Sequence, residues 1–115
     1  MEITMNIVVL QGTLSSEPVE RTLPSGDNIM NWEVTTESSD GKRSVPVQWD
    51  DPPKRALAVG EGDAVVVLGT IRRRFFQAGG VTASRTEVVA TAMAKPSQKV
   101  AMSKLLAAAQ EQIAA

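Results

Sequence analysis

A chain of 115 residues with 43% hydrophobic content suits one folded domain around one core. The absence of cysteine and histidine removes disulfides, thiol nucleophiles, the commonest general base and every nitrogen or sulfur metal ligand. The net charge of −1 is unevenly spread: residues 1–40 carry seven acidic side chains against Arg21 alone, whereas residues 41–85 carry eight basic ones against four acidic. Screening acts over about 8–10 Å, so a polyanion would respond to the basic stretch more than to the total. The plainer alternative is an ordinary solvated charge pattern.

The N-terminal stretch carries Glu2 and no basic leader, which reads against a secretory signal, and no apolar run approaches the roughly 20 residues of a bilayer span. A cytoplasmic location is the default. Asn6 to Leu14 reads as a first strand, with Val8, Leu10, Gly12 and Leu14 on one face and Ile7 and Val9 on the other. Gly12 marks a bulge or a close backbone approach of the kind a curved barrel strand needs. Ser15, Ser16 and Pro18 break this strand, and Leu23 to Asn28 is a turn cluster.

Ile29 to Thr36 forms the second strand, with Met30, Trp32 and Val34 on its core face. Asp40-Gly41 turns the chain into a third strand, Lys42 to Trp49. A short helical stretch, Lys54 to Val59, follows Pro52-Pro53 and ends at Gly60. Asp50 and Asp51 beside those prolines read as a turn and helix start, not as an acid–base pair. Gly60-Glu61-Gly62 lacks the spacing of a nucleotide-binding loop. No enzyme activity, cofactor or metal is expected. The longest strand runs from Ala64 to Phe76, Gln77 to Ala83 forms a mobile hairpin tip, and a return strand covers about Arg85 to Ala92.

Strand, strand, strand, short helix, strand, strand is the element order of the OB barrel, an all-β five-stranded Greek key. Residues 1–94 are assigned to it. Residues 95–115 are a helical extension capped by Ser97, with Val100, Met102, Leu105, Leu106, Ala109 and Ile113 as its apolar stripe. That stripe can dock on its own barrel or on a second protomer.

Arg72, Arg74 and Phe76 share one parity of the long strand and Arg73 and Phe75 the other. Cations for phosphates alternating with a ring for bases is the arrangement that single-strand binding requires. The alternative is an exposed hairpin edge with Phe76 packed beneath it. Lys42, Arg43 and Arg55 are further candidate phosphate contacts, although exposed basic residues in loops are commonplace.

The pattern Asn6-x-Val8-x-Leu10-x-Gly12-x-Leu14, followed by Pro18, Arg21, Pro24, Gly26 and Asn31, resembles the opening of bacterial and phage single-stranded DNA-binding proteins. Gly69-x-Ile71-Arg72-x-Arg74-x-Phe76 and Thr86-Glu87-Val88-Val89 continue the resemblance, which covers roughly residues 5–94. It implies non-sequence-specific binding of single-stranded DNA in replication, recombination or repair, a homotetramer or homodimer, and a nucleoid-associated cytoplasmic protein. It also implies that Trp49 stacks on a base, whereas its parity with Val45 and Val47 would point it into the barrel. Arg21 matches a family arginine that can serve either a backbone contact or an ion pair. Cellular members continue into a flexible linker and an acidic tip; this chain has neither, so recruitment of repair enzymes through such a tip is not expected. The competing reading is an OB-fold adaptor that has lost DNA binding, and an RNA-binding OB domain is a third.

Overall fold

The computed structural model describes residues 4–114, the side chain of Leu57 excepted. Glu2, on which the reading of the N-terminus rests, lies outside them. The elements are β1 (Val8–Leu14), β2 (Val19–Thr22), β3 (Asn28–Ser38), β4 (Gly41–Asp50), a 3-10 helix (Lys54–Ala58), β5 (Ala64–Ala78), β6 (Val81–Ala94) and α1 (Lys99–Ala114). β1 pairs antiparallel with β5 from Val8↔Gly69 to Thr13↔Ala64, and at its end also pairs with β3 through Thr13↔Thr35 and Leu14↔Val34. β4 meets β6 in parallel at Val47↔Val88. The ring β1-β5-β6-β4-β3 therefore closes as a five-stranded barrel, and β2 extends the first barrel strand along the edge of β3.

Serving two neighbours requires β1 to bend sharply. Gly12 permits it: a Cβ there would lie 2.3 Å from the Thr35 carbonyl oxygen. A second bend lies where Leu68 faces Ala92 but Gly69 faces Ala90, leaving Thr91 as an extra residue whose hydroxyl donates to the Leu68 carbonyl at 3.3 Å.

Alternation along the strands separates two cores. Inside the barrel, Leu14, Met30, Trp32, Val34, Val47, Trp49, Val65, Val67, Val88 and Ala90 pack together, closed at one end by Ala56 and Val59. The expected helix there is only a five-residue 3-10 turn, entered from an extended Pro53 with no side-chain cap. It still fills the barrel end with Ala56 and Val59. Outside, Val66, Leu68 and Ala94 are covered by Leu105 and Ala109 of α1.

The helix thus docks on its own barrel, through the Met102, Leu105 and Ala109 half of the expected stripe. Ala101 and Ala108 flank the contact, whereas Val100, Leu106 and Ile113 are exposed. Alanines let the helix approach the β5–β6 surface closely, and this sets its rotation. Its start also moves from Ser97 to Gln98, whose carbonyl accepts the Met102 N–H at 2.8 Å and whose amide oxygen accepts the Lys95 N–H at 3.1 Å. Among the described residues no helix is long and apolar enough to cross a membrane.

Candidate nucleic-acid interface

Beyond Ile71 and Val88 the β5–β6 hairpin leaves its other paired strands and continues as a two-stranded arm. The Asn6 side chain holds its base, accepting from the Ile71 N–H and donating to the Ile71 carbonyl, both at 2.8 Å. Pairing persists to Ala78↔Val81 around Gly79 and Gly80, whose φ values of 58° and 80° suit a tight two-residue turn. The expected loop over Gln77–Ala83 is therefore mostly strand, and the return strand begins at Val81.

The register decides which side chains meet. Arg72 faces Glu87, Arg74 faces Arg85 and Phe76 faces Ala83 on one side of the arm; Arg73 faces Thr86 and Phe75 faces Ser84 on the other. Each phenylalanine lies near a guanidinium. Arg73 is 5.3 Å from the Phe75 ring centre and donates to the Ser84 hydroxyl at 3.1 Å, and Arg74 is 5.7 Å from the Phe76 ring centre. Phe75 is 64% exposed and Phe76 39%, so both rings retain surface for stacking.

At the foot of the arm lies an open groove of about 360 Å³. Arg74 and Arg85 line it from the arm, Arg21 from β2, Asn31 and Glu33 from β3 and Gln48 from β4, with Trp32 among its lining residues. Asn31 and Gln48 are direct cross-strand partners, which puts both amides on one face. Gln48 donates to Asp50 at 2.9 Å. Asp50 thus ends a strand and Asp51 turns the chain with a φ of 52°, as a turn reading requires.

Beneath the arginines sits Glu87, only 2% exposed. It pairs with Arg72, while Arg74 approaches at 3.5 Å and Arg85 at 3.8 Å; Arg85 also reaches Glu33 at 3.4 Å.

Of the expected site residues, Arg74 lines the groove and Phe76 lies beside it farther along the arm. Arg72 does not present itself freely: it is half-buried, committed to Glu87, and its Nε is buried without a hydrogen-bond partner. Trp49, expected to stack on a base, lies away from this groove. It is 9% exposed inside the barrel, its ring centre 6.1 Å from that of Trp32, as strand parity with Val45 and Val47 requires. Lys42 and Arg43 face Glu37 and Thr36 at the far end of β4, about 20 Å from Gln48 by strand rise, and Lys42 lines a separate groove with Thr13 and Thr35. Arg55 lies on the 3-10 helix beside Met93 and Ala101, at the other end of β6 from the arm.

Sequence reading missed Arg85, Glu87 and Gln48. The signal for the first two was the Gly79-Gly80 pair: a two-residue turn there fixes Arg74 opposite Arg85 and Arg72 opposite Glu87.

No protein-family model matches the chain, and no curated protein matches it. Among solved structures it is similar to the single-stranded DNA-binding protein of Thermus aquaticus, with a TM-score of 0.67 and 22% sequence identity. The match covers 80% of this chain and 40% of that one, so this chain corresponds to well under half of its neighbour's length. What the two share is the OB fold. A five-stranded closed barrel and its parallel β4–β6 seam carry that likeness.

Proposed function

We propose that the chain binds single-stranded DNA without sequence preference and without catalysis, holding phosphates on Arg21, Arg74 and Arg85 and stacking bases on Phe76 and Phe75. The observation that carries this is the arm, whose Arg74–Phe76 pair is on the side of a groove lined by three arginines and whose Arg73–Phe75 pair is on the other side. That groove lies on the β3–β4 face beside the β5–β6 hairpin, the surface on which OB folds take oligonucleotides. Stacking on a ring is tolerant of sequence because every base has a π-face. The solved neighbour of the same fold is a single-stranded DNA-binding protein, which supports the same ligand here. Replication, recombination or repair is the setting such binding serves. Self-association, as a dimer or tetramer, is supported by Val9 and Ile71, two exposed apolar residues on paired strands β1 and β5.

Fluorescence anisotropy of dye-labelled oligo-dT at low salt tests the reading. Phe76→Ala is expected to weaken binding by about 1–3 kcal/mol, roughly 5- to 150-fold, the value of one stacked base. Arg74→Ala should weaken it as well. No retention of oligo-dT by the wild-type chain at low salt would overturn the proposal and leave an OB-fold adaptor.

A further inference from the structure

Arg74 and Arg85 occupy directly opposed positions across the arm. Like charges so placed repel, and an isolated pair would splay apart. Glu87 is the diagonal neighbour of Arg74 and shares its strand face with Arg85, and its Oε1 lies 3.5 Å from Arg74 Nη2 and 3.8 Å from Arg85 Nε. Its other oxygen, Oε2, is held by Arg72. The two roles differ in kind. The Arg72 bond is the close one, on a carboxylate that is 2% exposed, whereas the contacts to Arg74 and Arg85 are long and both arginines keep about 45% of their side-chain surface.

We infer that Glu87 is a positioning residue, which gathers Arg74 and Arg85 into a two-armed clamp for one backbone phosphate while Arg72 anchors it from behind. The inference rests on the single-strand reading above and adds to it a residue that never touches the strand. Glu87 neutralises part of the repulsion that would otherwise hold the clamp open. A phosphate oxygen then completes what the long carboxylate contacts leave incomplete, because charge-assisted bonds to guanidinium are strongest at shorter range.

The sign of one measurement separates this role from a simple counter-charge. Removing a carboxylate beside the groove makes the surface more positive, so a counter-charge reading requires Glu87→Gln to bind oligo-dT more tightly with a steeper salt dependence. Positioning requires several-fold weaker binding, with the slope of log affinity against log salt shallower by about 0.7 as one phosphate contact is lost. Tighter binding or an unchanged slope would overturn the inference. Glu87→Asp keeps the charge but shortens the reach, and should lie between wild type and Glu87→Gln; should Glu87→Gln not fold, equality of Glu87→Asp with wild type would overturn it instead. The Arg85 Hε resonance in the DNA-free protein reads the clamp without any ligand. At 3.8 Å Glu87 acts on this group through its charge, so the resonance should shift between wild type and Glu87→Gln, and an unaltered resonance would sink the inference. Were wild type to ignore oligo-dT altogether, the functional reading would fall alone and this resonance would still decide the role of Glu87.

Discussion

Trp49 and Phe76 both sit toward the end of a strand, yet only one is available to a ligand. Trp49 packs against Trp32 between Val47 and Ala56, whereas Phe76 stands on an arm with no second layer beneath it. Trp49→Phe should therefore cost about 1–2 kcal/mol of stability through lost packing and leave oligo-dT affinity within about twofold of wild type. Thermal melting and anisotropy on the same variant check both halves, and a large loss of affinity at full stability would return Trp49 to the site. Gly12 makes a different demand. With 2.3 Å between its missing Cβ and the Thr35 oxygen, Gly12→Ala must push β1 and β3 apart where the barrel closes. Overpacking of this sort costs about 1–3 kcal/mol, visible as a lower denaturation midpoint. An unchanged midpoint would mean that the seam can shift freely.

Strand by strand, legibility followed how much each element depends on itself. β3 alternates from Met30 to Val34 and β4 sends Val45, Val47 and Trp49 to the same core, so Met30, Trp32, Val34 and Val47 could be read off directly. β2 could not, since Val-Glu-Arg-Thr is exposed throughout and exists through its pairing with β3. The arm was half legible: its parity gave Arg74 and Phe76, but weak strand formers such as Ala83 and Ser84 hid the first residues of the return strand and with them the register that sets Arg85 opposite Arg74. Trp49 shows parity and family resemblance in conflict, and packing decided for parity. For α1 the helix was plain and its facing half so: Met102, Leu105 and Ala109 of the apolar stripe make the contact, while Val100, Leu106 and Ile113 turn outward and Ala101 and Ala108 permit the closest approach. This facing is measurable. Leu105→Ala should destabilise the fold by about 2–5 kcal/mol, whereas Leu106→Ala, one residue on, should stay within about 0.5 kcal/mol. Equal effects in chemical denaturation would place the helix in another rotation.

Over the whole molecule, a net charge of −1 is compatible with a polyanion site because the acidic residues are engaged or placed elsewhere. Glu37 faces Lys42 and Asp63 approaches Lys95 at 3.6 Å, both away from the arm, while Glu17, at the edge of the groove, accepts from the Glu61 N–H at 3.0 Å. Among the described residues Glu17, Glu33 and Glu87 offset the arginines at its foot, and Arg21, Arg72, Arg74 and Arg85 outnumber them. Barrel closure enforces this arrangement: it brings β2 of the acidic first forty residues beside the basic hairpin and leaves Arg21, their single cation, facing the groove. Binding should then be governed by local counterion release and not by the net charge. With Arg21 neutralising one phosphate and Arg74 and Arg85 together another, log affinity for oligo-dT should fall against log salt with a slope of about −1.4, since each phosphate contributes about 0.7 on a single strand. Arg21→Ala should remove about one such contribution although it lies on a different strand from the arm. Lys42→Ala and Arg55→Ala should leave the slope unchanged. A slope that responds to Lys42 as much as to Arg21 would show that the strand follows another path around the barrel, across β3 toward the β3–β4 turn.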